Sequence, residues 1–128
     1  MIKDDGLFMM HTIGQQISSD TIEPWLEKYI FPGGVIPSMA QIGKAIDGLW
    51  TVIDVHNIGP HYDKTLCAWY ENFERNWKKD RTSEEERFFR LWKYYLLSCA
   101  GGFRAKLLQV WQFVLSTRGV PDDYLTQR

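Results

Sequence analysis

Val52-Ile-Asp-Val-His-Asn-Ile-Gly-Pro-His-Tyr-Asp-Lys-Thr-Leu-Cys-Ala-Trp-Tyr-Glu-Asn-Phe73 decides the fold, because it passes from strand chemistry through a corner into helix chemistry. Trp50 to Val55 is rich in β-branched residues, which suit a pleated surface, and Gly59-Pro60 supplies a turn followed by a proline at a helix's first position. Beyond it, Tyr62, Leu66, Trp69, Tyr70, Phe73 and Trp77 recur at steps of three and four, which places them on one helical face. That face is expected to be buried, with Tyr62 in the first turn above the end of the strand.

Outward from this stretch, Gly6 to Ile13 is a short apolar run that reads as a strand buried on both faces, ending at His11 and Gly14. The carboxyl end of such a strand is where open α/β sheets place ligands, which makes His11 a candidate site residue. Thr21 to Phe31 holds a short helix closed by Pro32-Gly33-Gly34. Ser38 and Gln41 form a capping box before the stripe Met39, Ile42, Ala45 and Ile46. Lys78 to Arg81 is a charged loop, and Thr82 with Glu85 forms a second capping box, with Ser83 and Glu86 as the alternative. Phe88, Trp92, Tyr95, Leu96 and Cys99 continue a helical period as far as Gly101-Gly102, which is expected to end or bend the helix. Leu107 to Leu115 is a last strand, and Pro121 with Asp122-Asp123 begins a frayed tail. The order is strand, helix, helix, strand, helix, helix, strand, an α/β pattern.

Composition narrows the function. The 128 residues suffice for one compact unit. A net charge of −1 and no basic run beyond Lys78-Lys79 argue against a nucleic-acid partner. Two cysteines, Cys67 and Cys99, without a CxxC pair, and three scattered histidines form no metal-ligand spacing. Cys67 reads as a small buried hydrophobe, and His56 and His61 as structural. A start without a leader peptide and the absence of a membrane-length apolar run point to the cytoplasm. Aromatics at 15% indicate a dense core or an apolar pocket with aromatic walls.

Four blocks then combine: His11-Thr-Ile-Gly14; Tyr29-Ile-Phe-Pro-Gly-Gly34; His56-Asn57 with Gly59, Tyr62-Asp63, Thr65-Leu66 and Trp69-Tyr70; and Tyr94-Tyr-Leu-Leu-Ser-Cys-Ala-Gly-Gly-Phe-Arg-Ala105. In this order they resemble the C-terminal half of the cyclopropane-fatty-acyl-phospholipid synthases and mycolic acid cyclopropane synthases, from Gly6 to Arg118. The resemblance implies the C-terminal part of a class I (Rossmann-like) methyltransferase fold, three strands with four to five helices. The strands would be the last three of that sheet, the final one antiparallel between the other two. Residues 1–128 would form a single partial methyltransferase domain.

The same resemblance implies transfer of the methyl of S-adenosylmethionine to the cis double bond of a phospholipid acyl chain, with bicarbonate as the base that takes a proton as the ring closes. His11, Tyr62 and the backbone of Ile13 match the bicarbonate-binding positions, His11 and Tyr62 being the catalytic pair. Phe31, Leu66, Cys99 and Phe103 match positions lining the acyl pocket. Ile53 departs from the glutamate of the bacterial phospholipid enzymes. The glycine-rich cofactor turn and two further bicarbonate ligands, a cysteine and a glutamate, have no counterpart here, so no residue of this chain is assigned to the cofactor. The chain is accordingly expected to be inert alone and to need the missing N-terminal half. That half, a homo-oligomer or a remodelled N-terminus would cover the open sheet edge, and the protein would work at the inner membrane face. Two alternatives are a non-catalytic lipid-binding or dimer-forming remnant, and half of an N-methyltransferase, since the plant alkaloid enzymes share the Tyr29 and His61-Tyr62 blocks.

Overall fold

The computed structural model describes residues 2–3, 6–77, 80, 82–119 and 124. Its elements are β1 (Leu7–Gln15), α1 (Pro24–Tyr29), α2 (Met39–Ile46), β2 (Thr51–Asn57), α3 (Gly59–Asn76), α4 (Ser83–Arg104) and β3 (Leu108–Ser116), in the order that the periodicities predict. The chain divides into a sheet unit, Met1–Ile58 with Gln109–Arg128, and a helical unit, Gly59–Leu108. The charged loop and the tail expected at 78–81 and from 121 onward fall largely outside the described residues.

In the sheet unit the strand order is β1-β3-β2, so the last strand lies in the middle, and β3 runs antiparallel to β2 from Thr51 opposite Ser116 to Asn57 opposite Trp111. The register breaks between Val52 and Asp54, which leaves Ile53 in the irregularity. Alternation along β3 sends Trp111, Phe113 and Leu115 to one face, where they form a core with Ile42 of α2, and Met10, Ile46, Trp50 and Val55 pack against it. Met39 and Ala45, expected on the same stripe of α2, stay exposed. Gly14 allows the close approach of Trp111, since a Cβ there would lie 2.1 Å from the indole Cζ3.

The expectation that β1 is covered on both faces fails. Leu7, Phe8 and Met9 are 44%, 39% and 62% exposed, so the N-terminal part of β1, an edge strand, is not covered on both faces. The capping box of α2 is present. Ser38 donates its backbone N–H to Gln41 Oε1 at 2.9 Å, and Gln41 returns its own N–H to Ser38 Oγ at 3.2 Å.

In the helical unit α3 and α4 form an antiparallel pair whose interior is aromatic. Phe73 stacks on Phe89 with centroids 5.3 Å apart, and Trp77 stacks on Phe88 at 5.4 Å. Thr82 and Glu85 make the reciprocal cap of α4, rather than Ser83 and Glu86. Three expectations change. Trp69 points outward at 48% exposure despite its place in the period. The buried line of α4 is Phe89, Leu96, Ala100 and Phe103, one position on from the expected Phe88. Finally, α4 runs through Gly101-Gly102. Glycine is tolerated in the interior of a long helix whose other turns hold it, and what ends this one is Lys106 at φ 61°. The N–H groups of Lys106 and Leu107 return to the carbonyls of Phe103 and Gly102, closing a Schellman motif without glycine at its left-handed position.

Candidate functional site

His11 and Ile13 lie two residues apart on β1 and so on one face of it. The Nε2 of Gln112, on β3, lies 3.4 Å from His11 Nδ1. Gln112 is also the register partner of His56 on β2, so His11, Gln112 and His56 form a polar row across all three strands. This row lies on the face opposite Trp111, Phe113 and Leu115. Phe31 follows α1, where its carbonyl accepts the Gly34 N–H at 2.9 Å in a turn, and the residue is 49% exposed.

The helical unit gathers the other predicted residues. Leu66 and Phe103 are buried, and the Tyr62 ring lies 5.0 Å from that of Phe103 and 6.1 Å from that of Trp69. No hydrogen bond reaches the Tyr62 hydroxyl among the described residues, which leaves the phenol able to donate. Burial pushes the Cys99 thiol up from its ordinary range, so it is a neutral, apolar wall element at neutral pH. Burial likewise raises the neighbouring Tyr95 hydroxyl, with smaller contributions from Cys99 and Tyr62. Tyr62, Tyr95, Cys99 and Phe103 thus make one apolar, neutral wall.

Sequence reasoning missed two partners. Gln112 was hidden in a strand read only for its apolar residues. Arg104 stands in the fourth block without a role of its own, yet its Nε lies 3.3 Å from Asp63 Oδ2 and its Nη2 3.8 Å from Cys67 Sγ, so Cys67 is half-buried beside a cation. A spacing rule could not have found either, since both partners come from other elements.

The family pattern described as mycolic acid cyclopropane synthetase matches residues 1–113. The chain belongs to that family. It is 45% identical over 127 residues to the cyclopropane-fatty-acyl-phospholipid synthase of Escherichia coli (strain K12), covering 99% of this chain and 33% of that protein. It is 38% identical over 105 residues to the tuberculostearic acid methyltransferase UfaA1 of Mycobacterium tuberculosis, covering 77% of this chain and 24% of the relative. Among solved structures, the cyclopropane synthase MmaA2 of Mycobacterium tuberculosis superposes with a TM-score of 0.71 at 26% identity, over 88% of this chain and 45% of the other. The mycolic acid cyclopropane synthase CmaA1 complexed with SAH and CTAB gives a TM-score of 0.70 at 26% identity and the same coverage. The fold is therefore part of a class I methyltransferase, and the chain spans about a third of the length of the Escherichia coli synthase.

The family's cofactor is S-adenosylmethionine, and the residues of this chain do not fit it. Close approach of backbone to the nucleoside needs a glycine-rich turn after a strand. Here Gly33-Gly34 follow the short helix α1 and Gly101-Gly102 are helical, so neither pair follows a strand. No group of acidic, histidine or cysteine side chains among the described residues could hold a metal ion, and no described helix is long and apolar enough to cross a membrane.

Proposed function

We propose that this polypeptide is the C-terminal portion of a cyclopropane fatty acid synthase-like methyltransferase that adds a methylene across the cis double bond of unsaturated phospholipid acyl chains. The observation that carries the reading is 45% identity to the Escherichia coli synthase along essentially the whole chain. His11, the backbone of Ile13 and Tyr62 contribute donors to a bicarbonate. An imidazole N–H and a phenol suit an oxyanion, and the open Tyr62 hydroxyl fits that use. Leu66, Cys99 and Phe103 line the acyl chain's pocket, a role supported by the burial of Leu66 and Phe103 and by the neutral, half-buried thiol. Phe31, half exposed in this chain, completes that lining when the rest of the enzyme covers it.

No step of the methyl transfer is assigned to this chain, because its residues do not form the cofactor cradle. The missing half, or a second copy, would pair with β1, whose apolar edge is open. The exposed face of α4, with Arg87, Arg90, Lys93, Tyr94 and Leu97, suits a surface that rests against anionic lipid at the inner membrane face. Co-expression with an N-terminal half from the family, followed by mass analysis of the lipids, tests the proposal. An added methylene that depends on both halves is expected, with none from the chain alone. Turnover by the chain alone, or no product with the other half in a soluble complex, would overturn it.

A further inference from the structure

Gln112 breaks the apolar run of β3 at a half-buried position in the central strand, between two imidazoles. A polar side chain there has its neighbours fixed by register: His56 directly opposite on β2, and His11 reached on β1. The amide nitrogen carries only hydrogens, so Nε2 of Gln112 can only donate, and a donor facing Nδ1 requires a lone pair on that atom. With the amide nitrogen of Gln112 turned to the ring, as it is here, the neutral imidazole of His11 carries its proton on Nε2. At 3.4 Å the contact is longer than an ordinary N–H hydrogen bond, so what it contributes is orientation of the ring.

We infer that Gln112 is a positioning residue that holds His11 in the Nε2–H tautomer, so that the ring presents a donor to the anion it serves. This rests on the reading of His11 as an anion donor given above. With the opposite tautomer Nε2 would offer a lone pair, which repels an oxyanion where the reaction needs attraction. Gln112 therefore selects between a functional and a non-functional face of one histidine, much as carboxylates and carbonyls fix ligating histidines at metal sites.

The test is nitrogen-detected NMR of the histidine-labelled chain, at a pH above the ordinary imidazole range. The native chain is expected to show His11 protonated at Nε2 and bare at Nδ1. In Gln112→Glu a carboxylate, which only accepts, replaces the donor, and the His11 proton is expected to move to Nδ1. Gln112→Leu keeps the bulk and serves if the glutamate variant misfolds. Its expected result is a His11 Nδ1 shift displaced toward that of a water-exposed ring. In the enzyme assembled from both halves, Gln112→Glu should lower methylene transfer about tenfold or more, the scale seen when a residue orienting a functional histidine is lost. If His11→Ala leaves that turnover intact while the tautomer behaves as stated, the reading of His11 falls and the hold of Gln112 on it stands. A native His11 protonated at Nδ1, or a tautomer that neither variant changes in a folded chain, overturns the inference.

Discussion

The helical unit and the sheet unit solve one problem, the covering of an apolar face, by opposite routes. The helices α3 and α4 are neighbours in sequence and bury Leu66, Phe89 and Leu96, with Phe73 half-buried against Phe89, using residues drawn from one another. The sheet takes its central strand from the far end of the chain, and its core needs β3 before α2, β1 and β2 have anything to pack against. The hairpin thus closes locally, whereas the sheet closes only once its most distant segment returns, and β1 still leaves an edge open. Contacts between neighbours in sequence form faster than those between distant segments, so the sheet is the slower of the two to close.

The sharpest way to break the comparison is to remove a side chain from the middle of β3. Phe113 is 2% exposed, and Phe113→Ala should cost about 3–5 kcal/mol in denaturant unfolding, because the cavity lies where α2 and two strands meet. The same truncation at Trp69, half-exposed on α3 with its ring against Tyr62, should cost only about 1 kcal/mol. Equal losses at the two sites would refute the view that β3 is the sheet's keystone. Next in size is Gly14→Ala, for which the added methyl would sit inside the Trp111 ring. Overpacking of this kind typically costs about 1–3 kcal/mol, and near-ultraviolet circular dichroism of the indole should change with it. An unchanged spectrum and stability would mean that β1 can slide away from the core.

These two sites also show how far the sequence could be read. The order of all seven elements, both capping boxes and the central placement of β3 were legible, the first two from periodicity and local hydrogen-bond chemistry, the last through the four blocks of family resemblance. The failures have a common origin in information that is not local. β1 reads as doubly buried because an apolar run carries no record of which layers cover the sheet, and Leu7, Phe8 and Met9 stay exposed here. The buried line of α4 is set by which aromatic of Phe88-Phe89 meets Phe73, a choice made by the partner helix. For the candidate site, the resemblance names His11, Ile13, Tyr62, Phe31, Leu66, Cys99 and Phe103, and the structure adds the burial of Leu66 and Phe103 and the ring contact of Tyr62 with Phe103. The amide of Gln112 was not legible, because only the sheet register brings it to His11.

Smaller effects are expected at the helix caps, where the two units again differ. Ser38 is buried, and its hydroxyl also meets that of Ser18 at 2.6 Å, while Gln41 reaches the Ser19 carbonyl at 3.2 Å. The cap at Thr82 serves its own helix from an exposed position. Ser38→Ala should therefore cost about 1–2 kcal/mol and Thr82→Ala about 0.5–1 kcal/mol in thermal unfolding, within the range known for cap removal. A reversal of that order would show that the sheet unit does not depend on the cap for tying its loop to α2.

The remaining contrast is invisible at neutral pH and separates the units only in alkali. Burial raises Cys99 above its ordinary value of 9.0 and Tyr95 above 10.0, and both groups belong to the hairpin. A proton held more tightly by the folded chain than by the unfolded one contributes stability that is complete below the ordinary value. That contribution is lost as the pH climbs through the folded value. Melting temperature should thus stay level from neutrality to about pH 9 and fall beyond it. Lys93, raised first by its hydrogen bond to Tyr70, gives the same sign from the hairpin's surface, so the total slope alone does not identify the thiol. Cys99→Ala isolates it, since the variant keeps Lys93 and Tyr95 and should show a shallower decline than the native chain. Because Tyr95 is raised partly by Cys99, the variant's hydroxyl should also titrate earlier in an ultraviolet pH titration. Superimposable slopes for the two proteins would place the alkaline weakness elsewhere and remove the argument that this wall is neutral because it is buried.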